Sequence, residues 1–283
     1  VDIDGPLHNY YQCKALDELD HEEAVDIAKT KHLIPLATAE ADEWPCFWFR
    51  GIMPLQFLNP ENLQLHQPLE EYTPSYEQGT VEAVPRQWPS GEYFGDGTGG
   101  KFTSIPSLRR CAVAVILLTS EGRRGFACSL PLPGPVQVVV RSEAYGLLLL
   151  VRNAMHNAAL IYYLDCLPVY KTYSKGKARA LLSRHADIYL EIFDLIESKQ
   201  LDICVKWMPS HLEEESKRAR LKLPVPDWVT EWHIKGNMLA DQAASQMADY
   251  HQIPAEVAKP VLDRLNQLSQ VHRRLSAIGM GFV

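Results

Sequence analysis

The sequence predicts an α/β fold built on a mixed five-stranded sheet flanked by helices, and three observations predict it. From residue 90 onward, short apolar strands and amphipathic helices follow one another in the order βββαβαβα. The first three strands are separated only by glycine-bearing turns, which suggests an antiparallel meander, whereas a strand succeeds each of the next two helices, which demands parallel crossovers. One strand is almost wholly apolar, as expected of a strand buried on both faces.

The elements follow in order along the chain of 283 residues, which is long enough for one or two domains. Residues 1–89 read as an acidic, Pro-rich N-terminal extension. Residues 1–90 carry 16 acidic against 5 basic side chains and 9 of the 19 prolines. One helix is expected over 16–29, where Asp17, Glu18 and Asp20 crowd the first turn. The run WPCFWFRG at 44–51 reads as a buried aromatic anchor, with a base-stacking surface as the alternative. Residues 54–89 are expected to be extended, proline-punctuated chain, a linker or a strap over a neighbour.

Strands are predicted at 92–98, 110–118 and 125–130, punctuated by Gly99-Gly100 and Glu121-Gly122. The Leu-rich stretch at 147–151 marks a helix over 141–157, and the apolar strand follows at 160–165. A helical region at 175–198, a strand at 201–208 and a helix at 237–250 complete a domain spanning 90–252. Residues 253–283 form a C-terminal amphipathic helical tail, with Val257, Val261, Leu265, Leu268 and Leu275 at helical spacing and in need of a partner surface.

Composition narrows the function classes. The longest apolar stretches, 112–118 and 147–151, fall short of the roughly 18 to 20 residues of a membrane span, so no membrane partner is expected. Six cysteines without a CxxC pair argue against a zinc cage and a disulfide framework, and predict a reducing, intracellular setting in cytoplasm or nucleus. The chain starts at Val1 without a leader pattern, and reads as a fragment with cut ends. The net charge of −7 divides into −11 for residues 1–90 and +4 for 91–283, so the second part is mildly basic and compatible with a nucleic-acid partner.

The chemistry comes from carboxylates where charge is costly. Asp96 lies in the first strand, in FGDGTGG, and Asp165 ends the apolar strand in IYYLDCL. Ligands of open α/β sheets collect at the carboxyl ends of parallel strands, where both acids would project into one crevice. Glu143 stands at the start of the long helix in VVVRSEAYGLLLLV, and Asp241 in the first turns of the last helix in IKGNMLADQAAS. Taken singly, each has an ordinary reading as a turn residue, a helix N-terminal acid, a cap or an exposed side chain. As a convergent set they cannot all stay ionised without cations, and hard oxygen ligands with no Cys or His at metal spacing select Mg²⁺ or Mn²⁺ over zinc.

The segments YFGDGTGG, VVVRSEAYGLLLLVRNA, IYYLDCLPVYKTYSKG, HADIYLEIFDLI, CVKWMPSH and WHIKGNMLADQAAS together resemble the type 1 ribonuclease H domain over residues 90–252. The resemblance implies a ribonuclease H-like fold and an endonuclease that cuts the RNA strand of an RNA–DNA hybrid with two Mg²⁺ ions, for which Mn²⁺ can substitute. Asp96, Glu143, Asp165 and Asp241 match the family's four metal-binding acids, and His211 its mobile histidine. On that pattern two metals roughly 3.5 to 4 Å apart serve an in-line displacement at phosphorus. Asp96 bridges them, Glu143 and Asp165 share one ion, Asp241 holds the other, and the products carry a 5′ phosphate and a 3′ hydroxyl. His211 moves protons or helps release product.

The sequence departs from the family's pattern in three places. Val stands at all of 138–140, near the helix-entry glutamate where the family carries a small polar residue, and Cys166 and Leu167 follow Asp165 in place of Ser and a polar side chain. Between His211 and Asp241 lie 29 residues, with Lys217, Arg218, Arg220 and Lys222 in a substrate-holding lid or an exposed loop. Lys171, Lys175, Lys177 and Arg179, just after the apolar strand, are the candidates for binding substrate phosphates. The acidic, Pro-rich segment ahead of the domain suggests a piece of a retroelement polyprotein with an adjacent reverse transcriptase domain. Two other functions share the fold: a module that has lost turnover and binds or scaffolds nucleic acid, and a DNA-cutting relative such as an integrase. The His211 segment and GNMLADQAA speak against the last.

Overall fold

The computed structural model describes residues 33–80, 84–213, 216 and 224–279. They belong to two compact units, one comprising Val1–Gln67 with Pro254–Val283 and the other Pro68–Ile253. The helix predicted over 16–29 and the basic residues Lys217, Arg218, Arg220 and Lys222 lie outside the described residues.

Among the described residues, the first unit has four short helices ahead of the sheet, α1 (Ile34–Glu40), α2 (Pro45–Arg50), α3 (Leu55–Leu58) and α4 (Glu61–Gln64). Prolines cluster at their starts: second in α1 (Pro35), first in α2 (Pro45), and as the residues preceding α3 and α4. A first-turn residue has no intrahelical acceptor for its N–H, so proline costs nothing there. The stretch from residue 54 therefore begins with two helical turns where extended chain was expected. WPCFWFRG forms α2, which buries Phe47 and Trp48, leaves Phe49 exposed and ends at Gly51 in the left-handed conformation.

The second unit is a mixed sheet with flanking helices. In chain order it comprises β1 (Ser75–Gln78), β2 (Gly91–Thr98), β3 (Ala112–Leu118), β4 (Arg124–Pro131), α5 (Val139–Asn153), β5 (Ala159–Leu164), α6 (Leu167–Tyr173), α7 (Lys177–Ala180), α8 (Ala186–Lys199), β6 (Asp202–Trp207) and α9 (Glu231–Tyr250). The strand order is β1-β4-β3-β2-β5-β6. The first four strands in that order pair antiparallel, and β2, β5 and β6 pair parallel, as the crossovers require.

The sheet has six strands rather than five. All four residues of β1 are exposed, so the strand carries no apolar alternation, and it is held by pairing with β4 and by the Glu77–Arg124 ion pair. The helical region predicted at 175–198 resolves into α7 and α8, and an unpredicted helix, α6, precedes them, separated from α7 at Gly176, whose φ is +81°.

Alternation along the strands splits the core into two layers. Tyr93, Val113, Val115, Leu160 and Tyr162 face the Leu-rich side of α5, where Leu147, Leu148, Leu150 and Val151 are buried. Phe94, Ala114, Ile116 and Ala127 pack with Ile234, Ala240, Ala243 and Ala244 of α9. Each fully buried leucine contributes about 1.5–3 kcal/mol. Among the described residues no helix is long and apolar enough to cross a membrane.

Helix α9 begins six residues before the predicted start at 237. Its signal is a capping box with an unusual partner: the Thr230 side chain accepts from the third helical N–H, and Nδ1 of His233 accepts from the Thr230 N–H at 3.1 Å. Asp241 consequently sits mid-way along a 20-residue helix rather than in its first turns.

The chain then returns to the first unit through α10 (Ala255–Gly279). Leu268, Val271 and Leu275 of α10 pack with Leu33, Phe47, Trp48 and Phe57, while Arg264 pairs with Glu40 and lies 4.0 Å over the Phe57 ring. The aromatic run and the amphipathic tail thus cover each other within one unit.

Candidate metal centre

The site forms where β2, β5 and α5 meet. Asp96 lies on β2, Glu143 on α5, and Asp165 directly follows β5. Close contact between strand and helix brings the first two together: a Cβ on Gly97 would lie 2.6 Å from the Glu143 amide nitrogen and from Ser142 Oγ. Helix α5 starts at Val139, so Glu143 stands beyond the first turn, where the helix dipole would not by itself account for an acid.

One carboxylate oxygen from each of Asp96, Glu143 and Asp165 lies within 4.8 Å of the other two. Asp96 and Glu143 are only 6% and 4% exposed, and Asp165 is half-buried. Burial raises the pKa of all three. Mutual repulsion adds to it: Asp165 and Asp241 push Asp96 further up, and Asp96 and Asp165 do so for Glu143. The Gly97 backbone N–H opposes the rise at Asp96 and Glu143, and at Asp165 a hydrogen bond from Asn237 and the charge of His211 oppose it.

Asp241 is half-buried on α9 and is not one of the three acids whose oxygens meet within 4.8 Å, yet its charge reaches both Asp96 and Asp165. His211 sits at the rim with a left-handed backbone (φ 54°), a side chain 42% exposed, and Nδ1 3.5 Å from Glu213 Oε1. Lys171, Lys175 and Arg179 are exposed on α6, the turn after it and α7. Lys177 is held in an ion pair with Asp194 of α8.

Three further residues belong to the site. Asn237 Nδ2 donates to Asp165 Oδ2 at 3.2 Å, and Trp207 Nε1 donates to the Asp165 carbonyl oxygen at 2.8 Å. Tyr162 is fully buried beneath the acids. Asn237 was open to detection, because it precedes Asp241 by four residues and shares its helix face. Nothing in the pattern distinguishes Tyr162 from an ordinary core aromatic.

The donor set fits a hard divalent cation. Three oxygen ligands converge, Oε2 of Glu143 is buried without a hydrogen-bond partner among the described residues, and the group is too crowded to be fully ionised without a compensating positive charge.

No family model matches the chain, and no curated protein matches it. Its structural neighbours are RNase H domains at low identity. The RNase H domain of prototype foamy virus is 15% identical, with a TM-score of 0.42, over 57% of this chain and 95% of that one. The N-terminal RNase H domain of a Mycobacterium tuberculosis protein, solved as a fusion with maltose-binding protein, is 14% identical, with a TM-score of 0.36, over 57% and 96%. RNase H1 from the halophilic archaeon Halobacterium salinarum is 14% identical, with a TM-score of 0.35, over 56% and 97%.

Proposed function

We propose that the chain hydrolyses the RNA strand of RNA–DNA hybrids, with Asp96, Glu143, Asp165 and Asp241 holding two Mg²⁺ ions, or Mn²⁺ in their stead. The observation that carries the reading is the meeting of carboxylate oxygens from three separate elements within 4.8 Å in a largely buried setting. A protein without need of a cation has no reason to maintain that repulsion. The resemblance of six ordered segments to the type 1 ribonuclease H domain supplies the substrate.

What a bound divalent cation supplies is charge stabilisation at phosphorus and a nucleophilic water at neutral pH. Asp96, Glu143 and Asp165 would hold it, and Asn237 would keep the Asp165 carboxylate oriented. Asp241 faces the same cluster from α9. His211, half-exposed on a turn of left-handed backbone, carries protons between the reacting groups and solvent. Lys171, Lys175 and Arg179 neutralise phosphates of the bound strands. An intracellular setting and an adjacent reverse transcriptase domain are part of the proposal.

A second reading, a module that binds nucleic acid without turnover, draws on Val138 to Val140 at the helix entry and on Cys166 beside Asp165. The test is cleavage of a labelled RNA–DNA hybrid with Mg²⁺ or Mn²⁺, beside duplex RNA and duplex DNA, with Asp96→Asn as control. Hybrid-specific cutting of the RNA strand, lost in Asp96→Asn, is expected. Folded protein that binds hybrid and cuts nothing in either metal would move the assignment to the binding module.

A further inference from the structure

Tyr162 lies on β5 with its side chain 0% exposed and its hydroxyl without a hydrogen-bond partner among the described residues. The hydroxyl occupies a notch made by two glycines. A Cβ on Gly95, the residue before Asp96, would lie 1.7 Å from it, and a Cβ on Gly146, one turn after Glu143 on the same face of α5, would lie 2.6 Å from it. Any side chain at either position would expel the hydroxyl from beneath the acids. Glu143 Oε2, on the facing helix, is likewise buried and unpartnered among the described residues.

Two orphaned polar atoms at one buried site cost about 1–3 kcal/mol each, and each calls for a partner. We infer that Tyr162 is a positioning residue for the acid cluster: its hydroxyl donates a hydrogen bond to Oε2 of Glu143 when the acids hold a divalent cation. The inference rests on the metal-holding role proposed above. A phenol O–H is a donor and a carboxylate oxygen an acceptor, so the two unpartnered atoms are complementary. Such outer partners of metal ligands fix ligand orientation and typically account for about 10–100-fold in metal affinity.

The experiment is titration of wild type and Tyr162→Phe with Mn²⁺, followed by calorimetry and by the metal-induced rise in Tm, with the metal-free Tm of each recorded in EDTA. The expected result is a Mn²⁺ Kd about tenfold or more weaker in Tyr162→Phe, with a metal-free Tm equal to or above wild type, because the variant loses only an unpartnered hydroxyl. Equal Mn²⁺ affinity in the two proteins would overturn the inference, and so would a loss of affinity matched by a fall in the metal-free Tm, which is the mark of a merely structural role. In protein labelled at the tyrosine ring carbon that bears oxygen, the Tyr162 resonance should also shift on adding Mg²⁺. A resonance unmoved at saturating Mg²⁺ counts against it. Wild type that binds no Mn²⁺ would instead sink the metal site itself, a different outcome from wild type that binds and a variant that binds equally well.

Discussion

The side-chain amide of Asn237 on α9 donates to the carboxylate of Asp165 at the end of β5, at 3.2 Å, joining the helix on one face of the sheet to the acid cluster. The hydrogen bond favours the ionised form of Asp165 against the burial that raises its pKa. Asn237→Ala should therefore leave Asp165 less ionised and less well oriented. The Mg²⁺ concentration for half-maximal cleavage should rise about 10–100-fold, while saturating Mg²⁺ restores part of the rate. An unchanged metal dependence would show that the contact matters only for packing.

The three crowded acids also give the metal-free protein a pH dependence of definite sign. Each has a native pKa raised above its ordinary value, so the native state binds protons more tightly than the unfolded chain. Stability then falls as pH rises, from the ordinary carboxylate range near about 4 up through the raised native values. His185, His233 and His251, whose pKa values burial lowers, act in the opposite direction over part of that range. The acids' share is isolated by comparison with Asp96→Asn. In EDTA the Tm difference, variant minus wild type, should grow from pH 5 to pH 8, with each kcal/mol worth roughly 2–4 °C, and Mg²⁺ should shrink it. A difference independent of pH would mean that Asp96 is not held against its ionisation.

How far the sequence revealed all this depends on what kind of signal each element carries. The central strands and α5 announce themselves through apolar runs, and Asp96 and Asp165 through charge adjacent to such runs. Strand β1 has no apolar face, since its pairing with β4 is a backbone affair, so periodicity could not reveal it. The early start of α9 was hidden because His233 fills a capping position usually taken by Glu or Gln, which moved Asp241 from the predicted first turns to mid-helix. Tyr162 was illegible for a different reason: its role depends on the empty volume at Gly95 and Gly146, a fact of three-dimensional contact.

Gly97 sets the distance between β2 and α5. A methyl group there would lie 2.6 Å from the Glu143 amide nitrogen, and the neighbours are backbone and a buried serine, neither free to swing away. Gly97→Ala should cost about 1–3 kcal/mol of stability through overpacking. Because the strain is relieved by moving Glu143 away from Asp96, Mn²⁺ affinity should fall as well. Denaturant unfolding and metal titration on one preparation check both, and a stability loss with intact affinity would place the relaxation elsewhere.

The basic side chains after β5 differ in what already holds them. Lys177 is engaged with Asp194, whereas Lys171, Lys175 and Arg179 are exposed on the same stretch. If these three meet substrate phosphates, removing any one should weaken hybrid binding regardless of sequence and reduce the slope of log K against log salt concentration by about 1. Lys177→Ala should change the slope less, because its ammonium enters the complex already partnered, and exposed pairs of this kind contribute little to stability. Binding titrations of a non-cleaved hybrid in Ca²⁺ across about 50 to 200 mM salt measure the slopes. Equal slopes for all four variants would remove the distinction drawn from the Lys177–Asp194 pair, and slopes matching wild type throughout would move the phosphate contacts off this segment.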